Sequence, residues 1–346
     1  MKNSEAPLNV AVAGLGFMGG THVAAYRRMP RKARLVALCD PRRERMKALD
    51  PEGRLARYAS LEALLKDPSV EVVDLCLPTH LHAWGARLAL QSGRHVVCEK
   101  PLARAARQAE GLARLAARSR GRLMTAQVVR FWPEYRALER IARERSLGRL
   151  KTLSLTRLSP RPDWSWKNWL HQPAKSGGAL LDLHVHDVDF ALHLLGTPES
   201  LVAQGRVGPE GGIDHVWAQY RYPGGIRVGL EGGWGFPAGF PFRMAFVAAF
   251  TGGSLEYCSA RLPRLTAFPA GGKPFHPPLP RSPSASGPSG GNLSSLGGYF
   301  LELEHFMDSL RGAAPAGGVT PGSAALAVRL VELEERSIRT GRAVRP

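Results

Sequence analysis

The chain has 346 residues, 44% of them hydrophobic, and a formal net charge of +18. That length is too great for one ordinary core and suits two domains, while no apolar run reaches the ~18 residues of a membrane span. The arginines scatter over helix faces and strand ends without a basic block or aromatic platform, which argues against a specific nucleic-acid partner and for an anionic substrate or a phosphorylated cofactor.

The first residues, 1–7, are short and polar, with no twin arginine and no apolar signal core, so a cytoplasmic protein is expected. The four cysteines, Cys39, Cys76, Cys98 and Cys258, form no Cys-x-x-Cys pair. They read as reduced, buried thiols rather than a disulfide or metal framework.

Residues 8–13 read as a strand, Gly14-Leu15-Gly16-Phe17-Met18-Gly19 follows, and a helix is expected over about 20–29. This is G-x-G-x-x-G between a strand and a helix, the context that gives the motif meaning. Gly14 permits a tight turn, Gly16 lets the backbone approach a pyrophosphate, and Gly19 lets helix and strand pack closely. The helix N-terminus offers N–H groups to phosphates. The next strand, 34–39, ends on Asp40, placed where an acidic residue binds the adenosine ribose, which points to NAD. Arg42 and Arg43 follow at once and suit a 2′-phosphate, so NADP stays open. Asp40 is also placed to cap a following helix.

Strand 70–77 ends in Pro78-Thr79-His80-Leu81-His82, and a helix runs to Ser92. The run His95-Val96-Val97-Cys98 reads as an inner strand leading into Glu99-Lys100-Pro101. Ligands of parallel sheets gather at the carboxyl ends of the strands, so Glu99 and Lys100 should emerge at a binding cleft, although a plain solvated ion pair fits as well. A helix over 104–120 and strand 123–127, ending on Gln127, complete a doubly wound parallel sheet.

Past Gln127 the pattern changes. Arg130-Phe131-Trp132-Pro133 leads into a helix, 150–158 alternates like a strand with one wet face, and a tryptophan-rich loop covers 164–169. A helix is expected over 179–195, followed by five strands across 201–258, with hairpin turns at Pro223-Gly224-Gly225 and Thr251-Gly252-Gly253. The sum is a meandering, mostly antiparallel sheet. Residues 264–298 are rich in Pro, Gly and Ser and read as a long loop. Two helices finish the chain, the second capped by Thr320 with Pro321 at its first position.

On the expected helix 179–195, Asp182, His186, Asp189 and His193 fall at i, i+4, i+7 and i+11, on one face, while His184 and Asp187 point elsewhere. An Asp–His pair at i, i+4 fixes the imidazole tautomer and suits a general acid/base. His184-x-His186 is a poor metal pair, since i, i+2 side chains diverge on a helix, and no metal is expected. His193 reads as a core histidine and Asp189 as a brace.

The motifs Gly14-Leu15-Gly16-Phe17-Met18-Gly19, Pro78-Thr79-His80-Leu81-His82, Glu99-Lys100-Pro101 and Gly177-Gly178-Ala179-Leu180-Leu181-Asp182-Leu183-His184-Val185-His186 resemble those of the Gfo/Idh/MocA oxidoreductase family over nearly the whole chain. The resemblance implies an α/β chain: a Rossmann doubly wound domain at 1–127 and an α+β domain at 128–346 with an open, mostly antiparallel sheet that serves a homodimer or homotetramer. It implies NAD or NADP and a sugar, cyclitol or related polyol, handled by hydride transfer. The family's catalytic groups fall on Lys100, Asp182 and His186. Phe17, Met18, Leu77, Pro78, Thr79, His82, Glu99 and Gln127 join the glycines, Asp40 and Arg42 on the cofactor side, and Arg130, Trp166, Lys167 and His186 face the substrate. His184, standing where a small residue is common, is expected to narrow the pocket. Two rivals keep the same residues: a glycosidase that oxidises its substrate transiently through NAD, and a catalytically silent cofactor-binding regulator.

Overall fold

The computed structural model describes residues 6–279, 296–313 and 318–346. The chain divides into two compact units, one of residues up to Val128 with a return segment ending at Ala325, the other running from Val129 and closing with Leu326–Pro346.

The first unit is built on β1 (Leu8–Ala13), β2 (Ala33–Cys39), β3 (Ala56–Tyr58), β4 (Val72–Leu75), β5 (His95–Glu99) and β6 (Leu123–Ala126). They form one parallel sheet in the order β3-β2-β1-β4-β5-β6. Val10, Val12, Val72, Val73, Val96 and Val97 are fully buried, as expected where helices cover both faces of a parallel sheet. The order reverses between β1 and β4, which opens a crevice at their carboxyl ends. The helix Gly297–Leu310, from late in the sequence, packs on the helix Phe17–Tyr26 of this unit. Lys32 Nζ pairs with Glu304 (2.9 Å) and Asp308 (2.8 Å), and Arg122 Nη1 donates to Ser309 O (2.6 Å). The expected second domain at 128–346 is therefore not continuous in sequence. Helix spacing shows that such a helix is amphipathic, not which core receives it.

The second unit holds β7 (Leu150–Pro160), β8 (Ser200–Val207), β9 (Ile213–Arg221), β10 (Arg227–Phe236), β11 (Arg243–Phe250), β12 (Gly253–Cys258) and β13 (Leu265–Pro269). Their order is β13-β12-β11-β7-β10-β9-β8. The β9–β10 and β11–β12 hairpins turn at the glycine pairs. The sheet is mixed rather than a simple meander, because β7 lies at its centre, antiparallel to β11 and parallel to β10. One face is covered by helices. There Tyr135, on the helix Pro133–Glu144, meets Phe190, Phe246 and Tyr257 edge-on at 4.8, 5.2 and 5.7 Å between ring centroids. The other face exposes Val202, Trp217, Val247 and Phe268. The expected loop 264–298 begins as β13, whose Ala267 also bridges Phe275; its stretch 280–295 lies outside the described residues. Thr320 caps the last helix, Pro321–Thr340, by accepting from Ser323 N (3.1 Å).

Candidate active site

In the first unit the site forms along the carboxyl edge of the sheet. Gly14 has φ +88°, and a Cβ there would stand 2.4 Å from Cys76 O and 3.1 Å from Leu77 N, so the turn after β1 lies flush against the end of β4. A Cβ on Gly19 would strike Gly14 O at 2.0 Å, whereas one on Gly16 would meet nothing within 4 Å. Phe17 and Met18, both half-buried, begin the helix, and no side chain caps it at Gly16. An open approach at Gly16 over an uncapped helix start is the cradle a pyrophosphate needs.

Asp40 lies beside this turn. Its Oδ2 accepts from Leu15 N (2.9 Å) and Arg42 Nη2 (3.1 Å), and its Oδ1 from Arg42 N and Nε (2.9 Å each). Burial works to raise the carboxyl, but the hydrogen bonds from Arg42 and Leu15 outweigh it and hold Asp40 below the usual carboxylate range. All four acceptor positions of Asp40 are thus served by this chain.

Pro78 stands at the N-cap of the helix Thr79–Gln91, and Thr79 is buried beneath it. His82, 1% exposed, places Nδ1 2.6 Å from Pro101 O and Nε2 2.7 Å from Leu77 O. It stands between the Leu77 and Lys100–Pro101 segments, where a neutral ring donates to one of the two carbonyls, and its burial places it behind the edge rather than on it. The Lys100–Pro101 peptide is cis. Glu99 is 6% exposed, and its Oε2 accepts from Lys100 N (3.0 Å). Gln127, past the end of β6, buries both amide atoms without a partner among the described residues. An orphaned buried amide at the cofactor edge fits a group that completes its bonding with a ligand.

In the second unit the expected continuous helix 179–195 is broken into Gly178–Asp182 and Val185–Leu195. Leu183 N and His184 N both donate to Ala179 O, at 3.0 and 2.9 Å, so one wide turn of π type separates Asp182 from His186. The cause is packing. His184 is fully buried, its ring fills the place of a Gly232 Cβ, and its Nε2 reaches Glu334 Oε1 (3.0 Å), which also accepts from Tyr220 OH (2.9 Å). His184 is a core residue, and the expectation that it narrows a pocket is corrected. Asp182 and His186 are half-buried on either side of the break. The chain enters through Gly177 and Gly178; Gly178 has φ +71°, and a Cβ there would stand 2.8 Å from Ile213 O.

Two buried ion pairs fix the helix Val185–Leu195. Arg157 holds Asp187 through Nε–Oδ2 and Nη2–Oδ1 (2.9 Å each), and Arg130 holds Asp189 through Nε–Oδ2 (2.7 Å) and Nη2–Oδ1 (2.6 Å). Arg130, expected to face substrate, is 6% exposed and engaged in this bidentate pair. His193 is half-buried, with Nε2 3.2 Å from Glu139 Oε1. Trp166 and Lys167 lie in an exposed loop, with Lys167 Nζ 4.8 Å from the centroid of the Trp166 ring. Lys167 and Asn168 both take positive φ, 52° and 51°, which is uncommon for non-glycine residues and concentrates at ligand-contacting loops.

Residues 8–127 match the family model described as Oxidoreductase family, NAD-binding Rossmann fold, and residues 135–256 match the GFO/IDH/MocA C-terminal domain. The chain belongs to the Gfo/Idh/MocA family. Among similar proteins, the levoglucosan dehydrogenase of Pseudarthrobacter phenanthrenivorans is 32% identical over 204 residues, 55% of this chain and 51% of that protein. The trans-1,2-dihydrobenzene-1,2-diol dehydrogenase of Oryctolagus cuniculus is 33% identical over 228 residues, 62% of this chain and 66% of that protein. The scyllo-inositol 2-dehydrogenase (NADP(+)) IolW of Bacillus subtilis is 27% identical over 237 residues, 68% and 65% of the two. The chain thus spans between about half and just under two thirds of these relatives' lengths. Among solved structures, levoglucosan dehydrogenase in complex with NADH and levoglucosan superposes with a TM-score of 0.85 at 22% identity, covering 98% of this chain and 99% of that one. At that identity the likeness establishes the fold.

Several structured groups do not stand out in the sequence: His22, Asp74, Glu302, Arg157 and Glu334. Asp74 carries a readable signal, because a carboxylate inside the apolar run of β4 must find a partner. His22, Arg157 and Glu334 carry none, since the partners they meet lie between 22 and 150 residues away in the chain. Glu302 sits on a late helix whose place in the first unit no local pattern reveals.

Proposed function

We propose that the protein is an NAD(P)-dependent dehydrogenase or reductase acting on a secondary hydroxyl or ketone of a sugar, cyclitol or related polyol. The observation that carries this reading is the sheet edge of the first unit, where an open, uncapped helix start at Gly16, the ionised Asp40, the orphaned amide of Gln127 and Lys100 at the end of β5 lie along one crevice. The nicotinamide, when bound, supplies the hydride acceptor or donor. Lys100 donates a hydrogen bond to the reacting oxygen and stabilises the negative charge that develops there. His186 takes or returns the hydroxyl proton, and Asp182 orients His186 and balances its charge. Arg130 acts through Asp189, by holding the helix that carries His186. The Trp166–Lys167 loop contributes an aromatic face and a cation for a polyhydroxylated ring.

The cofactor is NAD, with Asp40 on the ribose; Arg42, swung off Asp40, offers the charge that NADP requires. The open face of the second sheet, with Trp217 and Val247 exposed, supports a homodimer or homotetramer, and a monomer by light scattering at micromolar concentration would reject that assembly. No helix among the described residues is long and apolar enough to cross a membrane, and a cytoplasmic enzyme is proposed. Turnover with a panel of sugars, cyclitols and diols, each with NAD and NADP, tests the activity. Accumulating reduced nicotinamide supports it. Free sugar released without net reduction would instead identify the transient-oxidation glycosidase, and cofactor binding with no turnover would identify the silent regulator.

A further inference from the structure

Behind Lys100 the first unit contains a cluster of ionisable groups that the proposed chemistry does not use. His22, on the helix after the glycine turn, is fully buried. Its Nδ1 lies 2.8 Å from Asp74 Oδ2, and the same oxygen accepts from Tyr26 OH (2.8 Å). Its Nε2 lies 3.2 Å from Glu99 Oε1. The other Glu99 oxygen accepts from the Lys100 backbone N–H. Cys76 Sγ is 3.4 Å from Nδ1, the Tyr299 ring centroid stands 6.5 Å from the imidazole, and Glu302 is buried nearby with neither carboxyl oxygen partnered among the described residues.

We infer that His22 is a positioning residue for Lys100: wedged between Asp74 and Glu99, its imidazole holds the Glu99 carboxylate in place and thereby sets the aim of the Lys100 amine.

Nδ1 of His22 is hydrogen-bonded to Asp74, while Nε2 lies 3.2 Å from Glu99 Oε1 as an ion-pair contact outside hydrogen-bond geometry; with a carboxylate beside each ring nitrogen, the imidazolium is the form attracted to both. The surroundings agree. Burial would lower the His22 pKa, but Asp74 and the Cys76 sulfur lift it well above its ordinary value. Burial and the neighbouring Glu99 charge push the Glu302 carboxyl well up, so it stays neutral. Burial likewise pushes the Cys76 thiol up. Burial also opposes ionisation of Glu99, yet the His22 imidazolium beside it, together with the Lys100 charge, holds its carboxyl below the usual range. The count then closes: His22 and Lys100 carry positive charge, Asp74 and Glu99 negative, and Glu302, Cys76 and Tyr26 none. Removing the imidazolium leaves two carboxylates in a dry site. Glu99 then picks up a proton more readily, and Lys100 loses the anion beside it.

This inference rests on Lys100 acting in the reaction, so it is tested both with and without turnover. In the cofactor-free protein, nitrogen-15 spectra of labelled histidine, assigned by comparison with His22→Gln, should show His22 doubly protonated at pH 7 and above. An imidazole that titrates near pH 6.5 overturns the inference whether or not a substrate has been found. In turnover, His22→Gln should lower kcat on the order of 10²-fold, the scale of a misplaced reacting group, while the Kd for NAD changes little. The acid limb of the kcat pH profile should move to higher pH, because Glu99 without the imidazolium takes up a proton more readily. A uniform loss of amplitude with the acid limb in place would overturn the inference. If His22→Gln does not fold, Tyr26→Phe serves. It removes one donor from Asp74, so His22 should remain charged to higher pH, and an unmoved or lowered titration would count against the network.

Discussion

Two buried charge clusters, one in each unit, are built in opposite ways. In the second, Arg157–Asp187 and Arg130–Asp189 are closed bidentate pairs, each guanidinium matched to one carboxylate. In the first, one imidazole is shared between Asp74 and Glu99, with a neutral carboxyl at Glu302 close by. Guanidinium does not titrate near neutral pH, so the second arrangement is a fixed brace for the helix that carries His186. Imidazole and carboxyl groups do titrate, so the first couples the charge around Lys100 to pH. The difference teaches that burial alone does not tell whether a charged cluster is structural. The chemistry of the cation does.

The largest expected effect breaks the comparison at its reactive ends. Lys100→Met should lower kcat by ~10²-fold or more with NAD affinity nearly unchanged, and His186→Ala should cost ~10²–10⁴-fold. If both act on one oxygen, as proposed, the double variant should lose far less than the product of the two factors; steady-state kinetics on all four proteins would show full multiplication if the groups serve separate steps.

Next comes the brace. Asp187→Ala strands the Arg157 guanidinium and should cost about 3–5 kcal/mol in denaturant unfolding, whereas Asp187→Leu with Arg157→Met should recover most of that loss. A double variant as unstable as the single would mean the pair does more than neutralise itself.

Asp40→Ala should relax the preference for NAD over NADP by about 1–3 kcal/mol, the scale of a charge-assisted hydrogen bond. Arg42→Ala should move the preference the other way, toward NAD, by exposing the carboxylate. Fluorescence titration of both cofactors reads both changes, and a tenfold NADP preference in the unaltered protein would reject the role given to Asp40.

The gentlest test separates the two clusters by pH. His22 has a raised folded-state pKa, so its stabilisation is complete below about pH 6.5 and is lost as pH rises through the folded value. Glu302 is also raised, so its contribution is complete below about pH 4.3 and declines in the same direction. Stability should therefore fall from pH 6.5 toward alkaline pH, by at most about 1.4 kcal/mol per pH unit for each group. Glu302→Gln, which keeps the group neutral, should flatten that slope in thermal melts. Asp187→Ala should lower the curve without changing its slope. A slope indifferent to Glu302→Gln would place that carboxyl's ionisation elsewhere.

Much of the first unit is legible in the sequence. G-x-G-x-x-G after an apolar strand, the acid at Asp40 and the exit of β5 into Glu99-Lys100 are local patterns, and local steric rules carry them. The helix face expected for Asp182 and His186 is legible only in part. Periodicity assumes an unbroken helix, and the wide turn at Leu183–His184 depends on Glu334, 150 residues away from His184, and on the missing side chain of Gly232. Arg130 shows the same limit: the family resemblance places it toward a substrate, and only the fold shows it held by Asp189.

What the sequence by itself determined is the alternation of strands and helices and the cofactor turn, because each follows from residue type and spacing within a few turns of chain. Tertiary structure alone decided which unit receives the helix Gly297–Leu310, where β7 enters its sheet, and which cation each buried carboxylate meets. The physical reason is that a buried charge is stable only beside a partner, and partners are chosen by packing between elements remote in sequence, where no periodicity reaches.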